Sequence, residues 1–217
     1  MNRFYLTWIG VNSSVEVIGL GTSALLWIAV DRRVEARIGT VGMVVAVIIG
    51  SALIEGMAVG YGQWAVLRGP LPLLRARAWI GATILGAFVA WTLGMVPTTV
   101  INMSMEATAD ASPPEIAEWM VYLLAALMGL VLGPILGTPQ WMALRHWVDK
   151  AIWWIPANAL AWAGGMVAIF AGMNFVPFDG PTWAIVLPVL LVLAVAGAVV
   201  GAIHGLVLVR LLDRVTG

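Results

Sequence analysis

Cysteine is absent from this chain of 217 residues, and its absence excludes several kinds of chemistry. Thiol catalysis, disulfide bonds, iron–sulfur clusters and cysteine-based metal sites all need that side chain. The single lysine, Lys150, lies in a charged segment between apolar runs, so no amine is available within those runs to form a Schiff base with retinal. The two histidines, His146 and His204, do not form the pair of facing imidazoles by which membrane helices commonly hold a haem. We therefore expect neither a cofactor nor a metal.

Charged residues are also scarce. The chain has 11 basic and 11 acidic residues, which make up 10% of its length against 62% for hydrophobic residues, whereas a soluble domain carries about a quarter charged residues. The apolar residues form runs long enough to cross a bilayer about 30 Å thick at about 1.5 Å per residue. We predict a single membrane domain over residues 1–217. We expect it to lie in the lipid bilayer and not to bind nucleic acid.

The apolar runs are continuous, which favours helices, because the strands of a membrane barrel alternate polar and apolar side chains. The predicted fold class is all-α, a polytopic membrane protein with six transmembrane helices. The first run is longer than the 7–15 or so apolar residues of a signal peptide, so we expect it to be retained as a span. The runs cover residues 4–30, 38–67, 78–103, 116–144, 152–177 and 182–209.

The distribution of basic residues favours one orientation in the membrane. Eight lie on the side of both termini and of segments 68–77 and 145–151, and three lie on the other side, all within segment 31–37. Because cytoplasmic loops carry an excess of basic residues, this predicts a bacterial inner-membrane protein with both termini in the cytoplasm. The two groups are Arg3, Arg68, Arg75, Arg77, Arg145, Lys150, Arg210 and Arg214 against Arg32, Arg33 and Arg37.

A sequence pattern recurs along the chain and predicts three repeated helical hairpins, over residues 4–68, 78–145 and 152–210. The second and fourth spans end with the same pattern, Gly-x3-Gly-x2-Gln-Trp-x2-Leu-Arg, and the sixth ends with a degenerate copy in which His204 replaces the glutamine. The odd-numbered spans begin with a tryptophan that is followed four residues later by a small polar residue. These pairs are Trp8 and Asn12, Trp79 and Thr83, and Trp154 and Asn158.

Parts of this pattern are typical of helix packing and membrane anchoring. Tryptophans near helix ends are typical of an aromatic belt at the membrane surface, here Trp8, Trp64, Trp79, Trp141 and Trp154. Arginines at the same edge are expected to reach lipid phosphate groups, namely Arg68, Arg145 and Arg210. The Gly-x3-Gly pairs predict seams at which helix backbones approach closely.

Six polar side chains, one from each span, fall at a similar depth. Counted inward from the tryptophan or arginine at the common edge, they lie about 6 to 9 Å deep. If the hairpins pack as a ring, these side chains surround a pseudo-threefold axis. This polar layer comprises Asn12, Gln63, Thr83, Gln140, Asn158 and His204.

Two interpretations of the polar layer remain open. In the first, its side chains bond neighbouring helices to each other and only stabilise packing. In the second, they face a cavity that opens to the cytoplasm and holds a polar ligand, a lipid headgroup or water. Glu16 lies one helical turn beyond Asn12, and Glu55 lies near the middle of the bilayer. An ionisable residue at such depth is a candidate functional site, and neither acid has a counterpart in the other repeats.

The sequence carries no recognisable catalytic motif. Gly21-Thr22-Ser23-Ala24 departs from the Gly-x-Ser-Gly nucleophile motif of intramembrane serine proteases, and every aspartate lies in a loop or at the end of a span. We therefore expect a non-enzymatic binding or assembly component of a larger membrane system, with other membrane subunits, a small polar ligand or a lipid as candidate partners. The alternative is a small transporter, channel or substrate-binding membrane subunit with a cytoplasm-facing polar cavity.

Overall fold

The computed structural model describes residues 2–29, 32–106 and 117–216, and within these ranges the chain is helical and contains no strand. The predicted all-α fold is therefore confirmed. The helices are α1 (Asn2–Ala29), α2 (Arg32–Leu67), α3 (Ala76–Glu106), α4 (Glu118–Leu144), α5 (Trp154–Met173) and α6 (Thr182–Thr216), with a 3-10 turn over Ala151–Trp153 before α5.

Five of these helices, α2 to α6, are long and apolar enough to cross a membrane, which confirms a polytopic helical membrane protein. α1 is not among them, although its 28 residues extend about 42 Å. Some of its polar residues face protein: Asn12 and Glu16 are buried, and the Ser13 hydroxyl donates a hydrogen bond to the carbonyl oxygen of Ala194 on α6, at 2.8 Å. That α1 also crosses the membrane stays a prediction.

Some predicted boundaries are wrong because backbone hydrogen bonding continues past the end of an apolar run. The charged segment predicted as a loop is helical from Arg32 onward, and the chain bends instead at Gly39, whose φ of 70° lies in the left-handed region that glycine tolerates. α3 and α6 continue past their predicted ends, whereas α5 ends four residues early. Asp31 and residues 107–116, which include most of the predicted loop 104–115, lie outside the described residues.

The six helices form a ring in chain order. Each helix packs against the one before it and the one after it, and α6 packs against α1 to close the ring. We call the end of the ring that holds the beginning of α1, the end of α6 and the connections 68–75 and 145–150 the terminal end, and the other the opposite end. The ring gives every helix one face toward a common axis.

The glycine seams lie between helices that meet at the terminal end. A Cβ atom placed on Gly133 of α4 would lie 2.2 Å from the carbonyl oxygen of Asn158 on α5, and one on Gly197 of α6 would lie 2.6 Å from that of Asn12 on α1. Gly56 and Gly60 of α2 approach α3 in the same way. The predicted close approach is confirmed, and it joins α2 to α3, α4 to α5 and α6 to α1. The division of the chain into three sequence repeats stays a prediction.

Candidate functional site

Each helix presents a stripe of residues to the axis of the ring. Residues four positions apart lie on one face of a helix, and on α1 this face contains Trp8, Asn12 and Glu16, all buried. On α4 it contains Leu144 and Gln140, which are also buried. Passing inward from the terminal end, the axis is therefore surrounded first by apolar side chains, then by the polar layer and then by acidic residues.

The first level is an apolar plug, in which each side chain has 0% exposure. It consists of Trp8, Trp79, Trp154, Leu67, Leu144 and Leu208. The Trp154 ring centroid lies 6.2 Å from that of Trp8 and 6.1 Å from that of Trp79. The predicted place of these three tryptophans in an aromatic belt is therefore wrong. Each lies four residues before a polar-layer residue and therefore shares its inward face. The prediction rested on depth along the helix, which does not show the direction in which a side chain points around the helix axis.

All six predicted polar-layer residues come together beneath the plug, with exposed fractions of 1–4%. The Gln63 Nε2 group donates to Asn12 Oδ1 at 2.8 Å. The Gln140 Nε2 group donates to Gln63 Oε1 at 3.2 Å and to Thr83 Oγ1 at 3.0 Å. These bonds connect α1, α2, α3 and α4 through their side chains.

The plug is hydrogen-bonded to the polar layer at two of three positions. The Trp8 Nε1 group donates to His204 Nδ1, and the Trp154 Nε1 group donates to Gln140 Oε1, both at 3.0 Å. The Trp79 Nε1 group has no hydrogen-bond partner among the described residues. The hydrogen bonding of the three tryptophans of the plug is therefore not threefold.

Beneath the polar layer lies a space of about 20 Å³, which we call the polar pocket. A cavity of this size holds about one water molecule. The six polar-layer residues line it together with Glu16 and Glu55, whose exposed fractions are 3% and 7%, and no lysine or arginine is among its lining residues. One of the two interpretations of the polar layer places a cavity open toward the termini; in the structure the plug fills the axis on that side.

A larger cavity, which we call the apolar cavity, occupies the ring on the other side of Glu55 and has a volume of about 410 Å³. All six helices line it, and among the described residues Glu55 is the only ionisable one in its lining. Glu55 Oε2 accepts a hydrogen bond from Trp91 Nε1 at 2.7 Å. Glu55, Leu136 and Trp162 line both spaces and therefore lie at the boundary between the polar pocket and the apolar cavity. The larger lining side chains include Trp91, Met95, Met128, Trp162, Met166 and Met173.

The residues of the apolar cavity were missed from the sequence, although the helical spacing could have found several. Trp91 lies eight residues after Thr83, and Met166 lies eight residues after Asn158. Continuing each inward stripe for two more turns would have placed both on the axis.

The predicted lipid anchors lie apart from both spaces. Arg68, Arg145 and Arg210 are exposed at the terminal end. The Arg68 guanidinium lies 5.4 Å from the centre of the Trp64 ring, and Arg145 has the same distance to Trp141, which is within the range of a cation–π interaction. Their contact with lipid headgroups stays a prediction.

Comparison with protein-family models, curated proteins and solved structures finds no match for this chain. Within residues 2–29, 32–106 and 117–216, no group of three or more His, Asp or Glu side chains is placed to hold a metal ion. The chemistry of the polar pocket and the apolar cavity is therefore the basis for a functional assignment.

Proposed function

We propose that this chain is a non-enzymatic membrane protein that binds a lipophilic cation, an apolar molecule carrying one positive charge, in the apolar cavity. The observation that carries the proposal is the carboxyl group of Glu55, which is the single one among the described lining residues and lies at the inner end of an otherwise apolar space. A carboxylate away from water needs a cationic partner or a set of donors. Trp91 supplies one donor to Oε2, and no lining side chain supplies a positive charge.

The cavity wall suits such a ligand in shape and polarizability. Four methionines line it, and methionine side chains adapt to ligands of different outlines because they are unbranched and polarizable. Trp91 and Trp162 add aromatic surface, which attracts cations that have lost their water. A volume of about 410 Å³ is within the usual range for pockets that bind small molecules.

These features favour the second hypothesis from the sequence, a protein that binds or transports a ligand, over a role only in assembly, because packing between subunits does not require an internal cavity. They also change the expected ligand, because the larger space is apolar and lies away from the termini. A small polar molecule would leave most of this wall without favourable contacts.

Tetraphenylphosphonium and tetraphenylborate form a suitable pair of probes, because they have nearly the same shape and opposite charge. We expect the purified protein in detergent to bind about one equivalent of tetraphenylphosphonium in equilibrium dialysis, and to bind tetraphenylborate more weakly. Glu55→Gln should weaken tetraphenylphosphonium binding about tenfold or more, because an amide cannot provide the charge-assisted contact.

Asp213→Asn is the matched control, because Asp213 is exposed at the terminal end of α6 and the same chemical change there should leave binding unaltered. Equal affinity for the two probes, or unchanged tetraphenylphosphonium binding in a folded Glu55→Gln protein, would refute the proposal and favour the assembly role.

We further propose that the protein lies in a bacterial inner membrane with its termini in the cytoplasm, on the strength of the excess of basic residues at the terminal end. The apolar cavity then lies in the half of the protein away from the cytoplasm. Reporter fusions after residues 72, 148 and 217 should give a cytoplasmic signal, and a fusion after residue 180 should give the opposite one.

A further inference from the structure

The polar pocket has an excess of oxygen atoms over hydrogen-bond donors, and Glu16 shows this most clearly. Glu16 is only 3% exposed and lines the pocket, and its Oε2 atom has no hydrogen-bond partner among the described residues. A buried carboxyl oxygen without a partner is costly, because it has lost water and gained nothing in return. The pocket therefore requires an occupant that can satisfy Glu16.

The neighbouring asparagines each use one of their two amide hydrogens on a backbone oxygen, and Thr83 uses its only hydroxyl hydrogen in the same way. The side-chain amides of Asn12 and Asn158 donate to the carbonyl oxygens one turn earlier, those of Trp8 and Trp154, at 2.8 Å. The Thr83 hydroxyl donates to the Trp79 carbonyl oxygen at 2.9 Å.

The two glutamines and the histidine add little to this supply of donors. Gln63 and Gln140 donate within the polar layer. His204 accepts a bond from Trp8 at Nδ1, so a neutral imidazole carries its one hydrogen on Nε2 and brings no charge. What remains toward the pocket is oxygen and a few uncharged N–H groups, and none of the described lining residues supplies a positive charge.

The size and charge of the pocket select the occupant. A space of about 20 Å³ takes a single particle the size of a water molecule, so an ion must enter without its hydration shell and exchange water for protein oxygens. Magnesium keeps several of its waters, and calcium takes six to eight oxygen ligands, usually with several carboxylates. Among the described residues that line the pocket, Glu16 has a carboxyl oxygen without a partner, whereas Glu55 is bonded to Trp91.

From this geometry we infer that the polar pocket binds one dehydrated sodium ion, with Glu16 as its principal ligand and the amide oxygens of the polar layer as further ligands. The inference goes beyond the proposed function, because it concerns a different space, a different ligand and a residue that does not line the apolar cavity. It gives the polar layer a role besides packing.

The test measures sodium directly and through stability. Purified protein in detergent at about pH 8 should bind about one equivalent of radioactive sodium in the absence of any organic cation. Its melting temperature should rise in a saturable manner when choline chloride is replaced by sodium chloride at constant ionic strength, because a ligand that binds only the folded state stabilises it. Potassium, which is larger, should give a smaller rise.

Two variants and one control decide the assignment. Glu16→Gln should abolish both sodium binding and the sodium-dependent rise, and Asn158→Ala should weaken binding, while Asp213→Asn should behave as the wild type. A melting temperature that is the same in sodium and choline, together with no bound sodium in the wild type, would overturn the inference. Retention of sodium by a folded Glu16→Gln protein would overturn it as well.

The outcome is separate from that of the tetraphenylphosphonium experiment, which depends on Glu55. Sodium binding with no tetraphenylphosphonium binding would refute the proposed function and leave this inference standing. Tetraphenylphosphonium binding with no sodium binding would refute this inference and leave the proposed function standing.

Discussion

The two halves of the helical ring are formed by the same helices but differ in how tightly they are packed. In the half at the terminal end, three tryptophans and three leucines are completely buried, and the polar layer bonds four helices to each other. In the other half, the same helices stand around a cavity of about 410 Å³. One half is filled by the protein itself, and the other leaves room for a ligand.

The recurring part of the sequence lies in the filled half. The tryptophans, the terminal leucines, the polar layer and most of the paired glycines occur at equivalent places on successive helices. Glu55 and Trp91, in contrast, occur once, and they meet at the boundary with the apolar cavity. The recurring residues therefore hold the helices together, whereas the residues that occur once define the chemistry of the cavity.

The largest expected effect comes from placing the same side chain at a packed helix seam and in the apolar cavity. Gly133→Leu should lower the melting temperature by about 10 °C or more, because even a Cβ atom would lie 2.2 Å from a backbone oxygen of α5 that cannot move aside. Thermal unfolding in detergent measures this effect.

Gly94→Leu is the matched substitution in the other half, since nothing lies within 4 Å of a Cβ atom there and Gly94 lines the apolar cavity. We expect its melting temperature to stay within about 3 °C of the wild type, while tetraphenylphosphonium binding falls about tenfold because leucine fills the cavity. If both variants were equally unstable, the two halves would not differ in packing as described.

An effect of intermediate size on the free energy of unfolding is expected when the tryptophans of the plug are substituted one at a time. Trp154→Phe removes an indole that donates to Gln140, whereas Trp79→Phe removes one without a partner. Both variants lose a similar area of apolar surface. The difference between their free energies of unfolding should therefore equal the contribution of one interhelical hydrogen bond, about 0.6 to 1.7 kcal/mol. Chemical denaturation in mixed micelles gives this difference, and equal values would show that the bonding of the plug is symmetric.

The smallest expected effect concerns buried hydroxyls outside the polar layer. The Ser51 Oγ atom is buried and has no partner among the described residues, so Ser51→Ala should leave the unfolding free energy unchanged or raise it by up to about 1 kcal/mol. Ser13 is the control, because its hydroxyl bonds α1 to α6, and Ser13→Ala should lower the free energy by about 0.6 kcal/mol. The same denaturation measurement covers both, and a loss of stability in Ser51→Ala would contradict this reading.

Much of the fold and part of the site could be predicted from the chain alone. Long apolar runs predict helices and spans because a bilayer leaves the backbone no other partners than its own, and the depth of Asn12 or Gln140 follows from counting residues along a helix. The direction of Trp8, Trp79 and Trp154 was predicted wrongly, because depth does not define the face on which a side chain lies. The helix spacing that links each of them to the polar layer would have corrected this.

The sequence by itself determined which residues share a level of the membrane, since the rise per residue of a helix is constant. Only the tertiary structure decided that α6 closes against α1, that Glu55 meets Trp91, and that the axis is filled at the terminal end and hollow beyond Glu55. These features depend on contacts between residues far apart in the chain. Local spacing carries no information about how far two helices stand from each other, and that distance is what separates a packed core from a cavity.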